Sequence, residues 1–337
     1  MRTIASWSCT MAARPFWRIF VTVSALTLTA APVIAQQGSS YPNRPIRVIV
    51  PYVAGASYDT IMRIVAEPLG ESLGQPVIIE NRPGASAMIG ASMLAKASPD
   101  GHTIGMLGDN HTILAAVRRD TPYDLLADFA PITRIASLDN VIVVHPGVPA
   151  KSLKDLIALL KASPGKHRYG SGGTAGSTHL AGARFAQLAG VDILHVPYKG
   201  GGLAVTGLVG GEVHMMIVNM ISARPHVQSG RMRALAVAAK QRSPHLPDIP
   251  SSAEAGLPGY EVSQFYAMFG PARTPNRILA RIAGELKKIV SSEAVKKKLS
   301  SQGADAYFEP PNELTRFLIE EVKIHSNTAR AADIRLD

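Results

Sequence analysis

Cysteine is almost missing from this chain: Cys9 is the single one among 337 residues. It falls in an N-terminal stretch that reads as a leader. The remainder therefore has no disulfide, no thiolate metal ligand and no thiol nucleophile. The 10 histidines never stand in His-x-Glu or His-Glu-x-x-His spacing, so no zinc or other metal site is expected. Serine chemistry lacks its frame too. Neither Ser171 nor Ser177 lies in Gly-x-Ser-x-Gly. Ser163-Pro164-Gly165-Lys166 fits Ser-x-x-Lys only inside a helix-ending turn, without partner motifs. No cofactor is expected: Gly170-x-Gly172-x-x-Ala175 fits a dinucleotide fingerprint only loosely. After residue 35 no apolar run reaches the roughly 18 residues that a membrane span needs. Aromatics are scarce at 6% and are not interleaved with the basic residues. The densest basic run, Lys296-Lys297-Lys298, reads as a solvated helix face, which argues against nucleic acid.

What is present is a core. Hydrophobic residues make up 46% and charged residues 18%, enough apolar surface to exclude disorder. Residues 1–35 stand apart. Arg2, Arg14 and Arg18 meet no acid, an apolar stretch covers 19–34, and Val33-Ile34-Ala35 is a small-residue cleavage site. The expectation is an exported protein cut after Ala35 and released into the periplasm. Cys9 is too far before that cut to be a lipid anchor. Without the leader arginines the chain stays basic, down from a formal +10. The field is either a general surface property or an attraction for anionic ligands.

Strand and helix patterns alternate. Arg47-Val48-Ile49-Val50 is a buried strand. Ile61, Ile64, Val65, Leu69 and Leu73 then recur at helical spacing, with a kink expected at Pro68. Strands follow at Val77-Ile78-Ile79 and at 103–107. The long β-branched run 132–144 reads as a strand leaving a first lobe for a second. In the second lobe Ser152 and Asp155 form a capping-box start, and strands are expected at 167–170, 193–196, 213–218 and 234–238. The stretch 260–269 reads as the return crossing. Thr274 is expected as N-cap with Pro275 at N1, opening helices over 275–290, 292–301 and 311–327. This order predicts an α/β protein with parallel sheets covered by helices on both faces. Lobe one is expected over 41–139 and 266–337 and lobe two over 140–265, with a ligand cleft between them.

Several stretches resemble one family, the Bug extracytoplasmic solute receptors of tripartite tricarboxylate transporters. They are Tyr41-Pro42-x-Arg44-Pro45-Ile46, Glu80-Asn81-Arg82-Pro83-Gly84-Ala85, Ser98-Pro99-Asp100-Gly101, Phe129-Ala130-Pro131-Ile132-Thr133, His195-Val196-Pro197-Tyr198-Lys199-Gly200, Arg242-Ser243-Pro244 and Ala253-Glu254-Ala255-Gly256-Leu257-Pro258-Gly259. In this order they span nearly all of the chain after the leader. The resemblance implies a two-lobed periplasmic-binding-protein (Venus-flytrap) fold, no catalysis, a small carboxylate in the cleft, and delivery to integral membrane subunits of a tripartite tricarboxylate-type transporter. A monomer is expected. The chain departs from the family at Ala56, where a second glycine is usual, at Asn219, near which an acid is usual, and at Gly207 and His214, where Asp is frequent.

The residues themselves offer four groups for binding. Ala54, Gly55, Ser57 and Asp59 precede or open a helix, where free amides favour an anion. Ser57 and Asp59 could equally be helix caps. Ser171, Gly172, Gly173, Thr174, Ser177 and His179 form an acid-free loop of glycines and hydroxyls before another helix, able to make an anion nest. His179 is either a satisfied side chain on the helix face or a donor to the ligand in the cleft. Tyr198 and Lys199 follow a strand, with Lys199 the natural counter-charge to a carboxylate. Asp109, Asn110 and Asn219 end two further strands. Two rivals share this cleft: an exported hydrolase or lyase of carboxylate esters or amides, and a sensing module for a membrane kinase.

Overall fold

The computed structural model describes residues 41–334. The expected leader over 1–35, with Cys9 and the expected cut after Ala35, lies outside the described residues. Strand β1 (Ile46–Val50) buries Ile46, Val48, Ile49 and Val50 and leaves Arg47 exposed. It pairs in parallel with β2 (Val77–Asn81) and β3 (Thr103–Gly108). Helix α1 (Ser57–Leu73) lays Ile61, Met62, Val65, Leu69 and Leu73 into the core. It runs on past Pro68 as one element and ends where Gly74 turns left-handed at φ +70°. Helices α2 (Met88–Ala95) and α3 (Asp109–Val117) follow β2 and β3.

Strand β4 (Phe129–Val144) carries the chain between two halves of the sheet. Residues 129–139 of it pair antiparallel with the strand β9 (Ser263–Pro271). Residues 140–144 pair antiparallel with β7 (Met215–Asn219), and 141–144 also with β8 (Arg233–Val237). In the second half, α4 (Leu153–Ala162) starts with the expected capping box. Asp155 N–H donates to Ser152 Oγ at 3.1 Å, and Ser152 N–H donates to Asp155 Oδ2 at 3.0 Å. Strand β5 (Arg168–Ser171) pairs in parallel with β6 (Leu194–Pro197) and β7. Helices α5 (Ser177–Ala189), α6 (Gly201–Val209) and α7 (Met220–Gln228) follow these strands.

The path of the sheet is β2-β1-β3-β9-β4-β7-β5-β6. Purely parallel sheets were expected, and the sheet is mixed. The two crossing strands run in opposite senses beside each other, so β9 meets both β3 and β4 antiparallel. After β9 come α8 (Asn276–Ser291), α9 (Glu293–Ser301), the short β10 (Asp305–Ala306) on β4, and α10 (Pro311–Ala331). Thr274 is not the cap of α8. Its hydroxyl donates to the Pro271 carbonyl at 2.7 Å, and Pro275 takes the cap position. The largest apolar cluster is continuous from Val48 and Val50 to Met216 and Val218, so both halves share a core. A smaller cluster joins Ile113 and Val117 of α3 to Leu180 and Ala183 of α5 and Ala329 of α10.

Candidate functional site

The turn before α1 is built by Asp59. This buried carboxylate accepts from the Gly55 amide and Arg63 Nε, both at 2.8 Å, and from Asn81 Nδ2 at 3.1 Å. Burial opposes its charge, but these hydrogen bonds outweigh burial and hold its pKa below the usual carboxylate value. Both oxygens are engaged, so Asp59 shapes the loop. Gly55 takes φ +81°, which the turn needs and glycine supplies. Ala54 and Gly55 are exposed and Ser57 is half-buried. No side chain caps the first turn of α1, so its amides are left to solvent or a ligand.

The start of α3 is tied to α1. Tyr58 Oη donates to Asp109 Oδ1 at 2.8 Å, and the Tyr58 ring stacks on Tyr52 at 4.0 Å. Burial raises the Asp109 pKa above the ordinary carboxylate value despite that bond. Asn110 Nδ2 donates to the Ser86 carbonyl at 2.7 Å. It steadies a single 3-10 turn at Ala85–Ala87 whose residues sit at φ +46°, +54° and +75°. Such non-glycine geometry is strained.

His111 is fully buried, and its Nδ1 accepts the Gly108 amide at 3.3 Å. Burial lowers its pKa to about 4. The neutral ring is therefore the folded form, and its contribution is complete above the unfolded value near 6.5. It is lost as pH falls toward 4, at about 1.4 kcal/mol per pH unit. Urea unfolding between pH 6.5 and 5 is expected to be flatter by that amount in His111→Asn, which keeps an acceptor without the titration. An unchanged slope would refute the assignment.

In the second half, the loop leading to α5 abuts the start of α6. A Cβ placed on Gly172 would lie 2.9 Å from the Gly201 amide nitrogen. The Gly172 amide donates to Thr178 Oγ1 at 2.9 Å and its carbonyl accepts from Gly200 N–H at 3.0 Å. Neither α5 nor α6 has a side-chain cap. Ser171 is buried, with Oγ 3.0 Å from the Gly173 carbonyl and 3.2 Å from the Gly173 amide. Gly173 sits at φ +146°. Thr174 is exposed at the loop tip and Ser177 is half-buried at the first position of α5. Lys199 is exposed and forms no ion pair or hydrogen bond among the described residues.

Other expected ligand groups are engaged elsewhere. Tyr198 Oη donates to Glu212 Oε2 at 2.9 Å. Its hydroxyl also explains Gly207, since a Cβ there would stand 2.3 Å from it. Asn219 Oδ1 caps α7, accepting Ser222 N–H at 2.9 Å. His214 Nδ1 accepts the Arg168 amide at 2.9 Å. His179 is buried and accepts the Ala175 amide on Nδ1 at 2.9 Å, a bond within its own half. Asp109 and Ser177, from opposite halves, line one cavity of about 280 Å³ with Asn140, Arg184 and Ser263. The sequence reading passed over Arg63, Asn81 and His195. Asn81 and His195 stand inside the family-like stretches, but nothing local tells that their side chains reach Asp59 and Ser171.

Two halves of a mixed sheet joined through the long strand β4, with helices packed around the strands of each, make a two-lobed periplasmic-binding-protein fold. The chain belongs to the tripartite tricarboxylate transporter receptors, the TctC family, whose model matches residues 61–332. It is 34% identical to the protein BugT of Bordetella pertussis, over 91% of this chain and 94% of that one. Among solved structures it resembles Rpa4515 of R. palustris, determined with adipate (32% identity, TM-score 0.76, 88% of this chain and 99% of that one). It also resembles MatC of Rhodopseudomonas palustris, determined with malate (28% identity, TM-score 0.71, 86% and 99%). The family and these neighbours are solute-binding proteins and not enzymes.

Proposed function

We propose that this chain is a periplasmic receptor that captures a small carboxylate between its lobes and presents it to the membrane subunits of a tripartite tricarboxylate-type transporter. The observation that carries the reading is the packing of Gly172, in the loop leading to α5, against Gly201 at the start of α6, with no side-chain cap on either helix. Free first-turn amides and two helix dipoles suit an anion without any cationic side chain. Lys199, unpaired beside them, supplies a mobile counter-charge. The uncapped start of α1 provides the matching surface on lobe one, along the loop containing Ala54, Gly55 and Ser57. Adipate in Rpa4515 and malate in MatC support a dicarboxylate as the first class to try.

The lobes divide at β4 and β9, with 41–139 and 266–337 on one side and 140–265 on the other. The ligand touches both only when they close, so it stabilises the closed population. Export by cleavage after Ala35 and action as a monomer complete the reading.

A thermal-shift screen of adipate, malate, amino acids and aromatic acids, followed by calorimetry and recovery of the unchanged ligand, tests it. At least one acid should raise Tm in proportion to its concentration. No shift with any, or turnover of a carboxylate ester, defeats the receptor reading. Lys199→Ala should weaken the best ligand about fivefold, the worth of one hydrated ion pair, and the loss should shrink with salt. Unaltered affinity at low salt would remove Lys199 from the site.

A further inference from the structure

Behind the glycine-rich loop lies a pair of histidines that carboxylate capture does not use directly. The rings of His179 (α5) and His195 (β6) stack at 3.6 Å with planes 6° apart, and the Tyr169 ring of β5 lies 5.0 Å from His195. Each histidine reaches the loop. His195 Nε2 is 2.6 Å from Ser171 Oγ, and that hydroxyl in turn touches both the amide and the carbonyl of Gly173. His179 Nδ1 accepts the buried amide of Ala175. Ala175 stands at φ +54°, a left-handed conformation that alanine rarely adopts. Something must hold it there, and the imidazole nitrogen is the partner its amide has.

We propose that His179 and His195 are positioning residues that set the shape of the 171–177 loop and thereby its affinity for carboxylate. The inference rests on the reading of that loop as the anion cradle. It assigns His179 a role different from that of a ligand donor. An acceptor at Nδ1 requires the proton of neutral His179 to be on Nε2. A second proton would set an N–H against the Ala175 N–H and release the loop. Burial, then the neighbouring His195, lowers the His179 pKa to about 4, and burial lowers that of His195. The other titratable groups around the pair are Tyr169 of β5, Lys161 of α4 and Asp192 before β6, which line one pocket with it. The stack therefore stays neutral across ordinary working pH.

The test separates the nitrogen from the ring. His179→Phe keeps a stacked ring and loses the acceptor, whereas His179→Asn keeps an acceptor close to the position of Nδ1. His195→Leu and His195→Gln ask whether Ser171 needs a polar partner at that position. Adipate and malate serve as probes by calorimetry, and exchange of the Ala175 amide reads the loop without any ligand. His179→Phe and His195→Leu should each weaken binding about tenfold or more, the scale of one buried hydrogen bond. His179→Asn and His195→Gln should stay within about threefold. Ala175 exchange should quicken at least tenfold in His179→Phe and remain near wild type in His179→Asn.

Equal affinity in His179→Phe and wild type overturns the inference while leaving the receptor reading intact. Equal loss in Phe and Asn variants also overturns it, since ring packing alone would then account for the effect. A wild-type protein that binds neither probe counts against the receptor reading, and Ala175 exchange still decides whether His179 holds the loop. If the Phe variant does not fold, long-range nitrogen–proton spectra of the wild-type protein decide. The Nε2–H tautomer of His179 at pH 6 supports the assignment, and the Nδ1–H tautomer overturns it.

Discussion

Gly172→Val is expected to reduce carboxylate affinity about a hundredfold or more, close to 3 kcal/mol. The first atom of any side chain at 172 would lie 2.9 Å from the Gly201 nitrogen and 3.2 Å from its Cα. These are backbone atoms at the start of α6, and no rotamer can move them aside. A β-branched residue brings two further carbons. The start of α6 must then move away from α5, which separates the two sets of free amides that a carboxylate would bridge. The fold should survive, because the apolar clusters beneath both helices do not include Gly172. Titration calorimetry with the best acid from the screen, beside the Tm of the apo variant, reads both quantities. Binding within a few-fold of wild type would place the ligand elsewhere.

The largest expected effect on stability lies away from the loops. Arg134 of β4 and Glu309, just before α10, are both buried and joined by one bond of 3.0 Å. The guanidinium lies between the rings of Tyr307 at 4.0 Å and Phe317 at 4.2 Å. Burial raises the Glu309 pKa against the pull of Arg134. Removing the acid alone leaves a buried cation without its counter-ion, which costs on the order of 3–5 kcal/mol. Glu309→Ala should therefore lower Tm by about 5–10 °C. Arg134→Met with Glu309→Leu should recover much of it, since neither charge is then left unpaired. A Glu309→Ala protein as stable as wild type would show that water reaches the site.

Period and punctuation made the elements legible. Val48 and Val50, the stripe Ile61, Val65 and Leu69, and the capping box at Ser152 and Asp155 are local patterns, and each became the element it predicted. Local patterns misled where a neighbour competed. Thr274 had the residue type of a cap, but its hydroxyl found the Pro271 carbonyl first. The alternation of strands and helices suggested parallel sheets. The sense of β9 depends on where the returning chain enters, and no local residue records that. Glycines and hydroxyls marked the 171–177 loop as a candidate, because an anion cradle needs small residues and free amides wherever it stands. Asp59, Asn219, Tyr198 and His179 matched the same chemistry by type, yet the Asp59 carboxylate, the Tyr198 hydroxyl, Asn219 Oδ1 and His179 Nδ1 are each bonded to a neighbour in their own half.

Composition and order along the chain settled by themselves the absence of cysteine chemistry beyond the leader, the α/β class and the family resemblance, because these depend on residue identity and spacing alone. Tertiary structure decided which polar groups remain free. A carboxylate or imidazole is taken or available according to what lies within about 3 Å of it, and those neighbours come from strands and helices far away in sequence. Asn81 on Asp59, Glu212 on Tyr198 and His195 on Ser171 are such neighbours. Such neighbours leave the first-turn amides of α1, α5 and α6 and the Lys199 ammonium as the groups proposed to meet an acid.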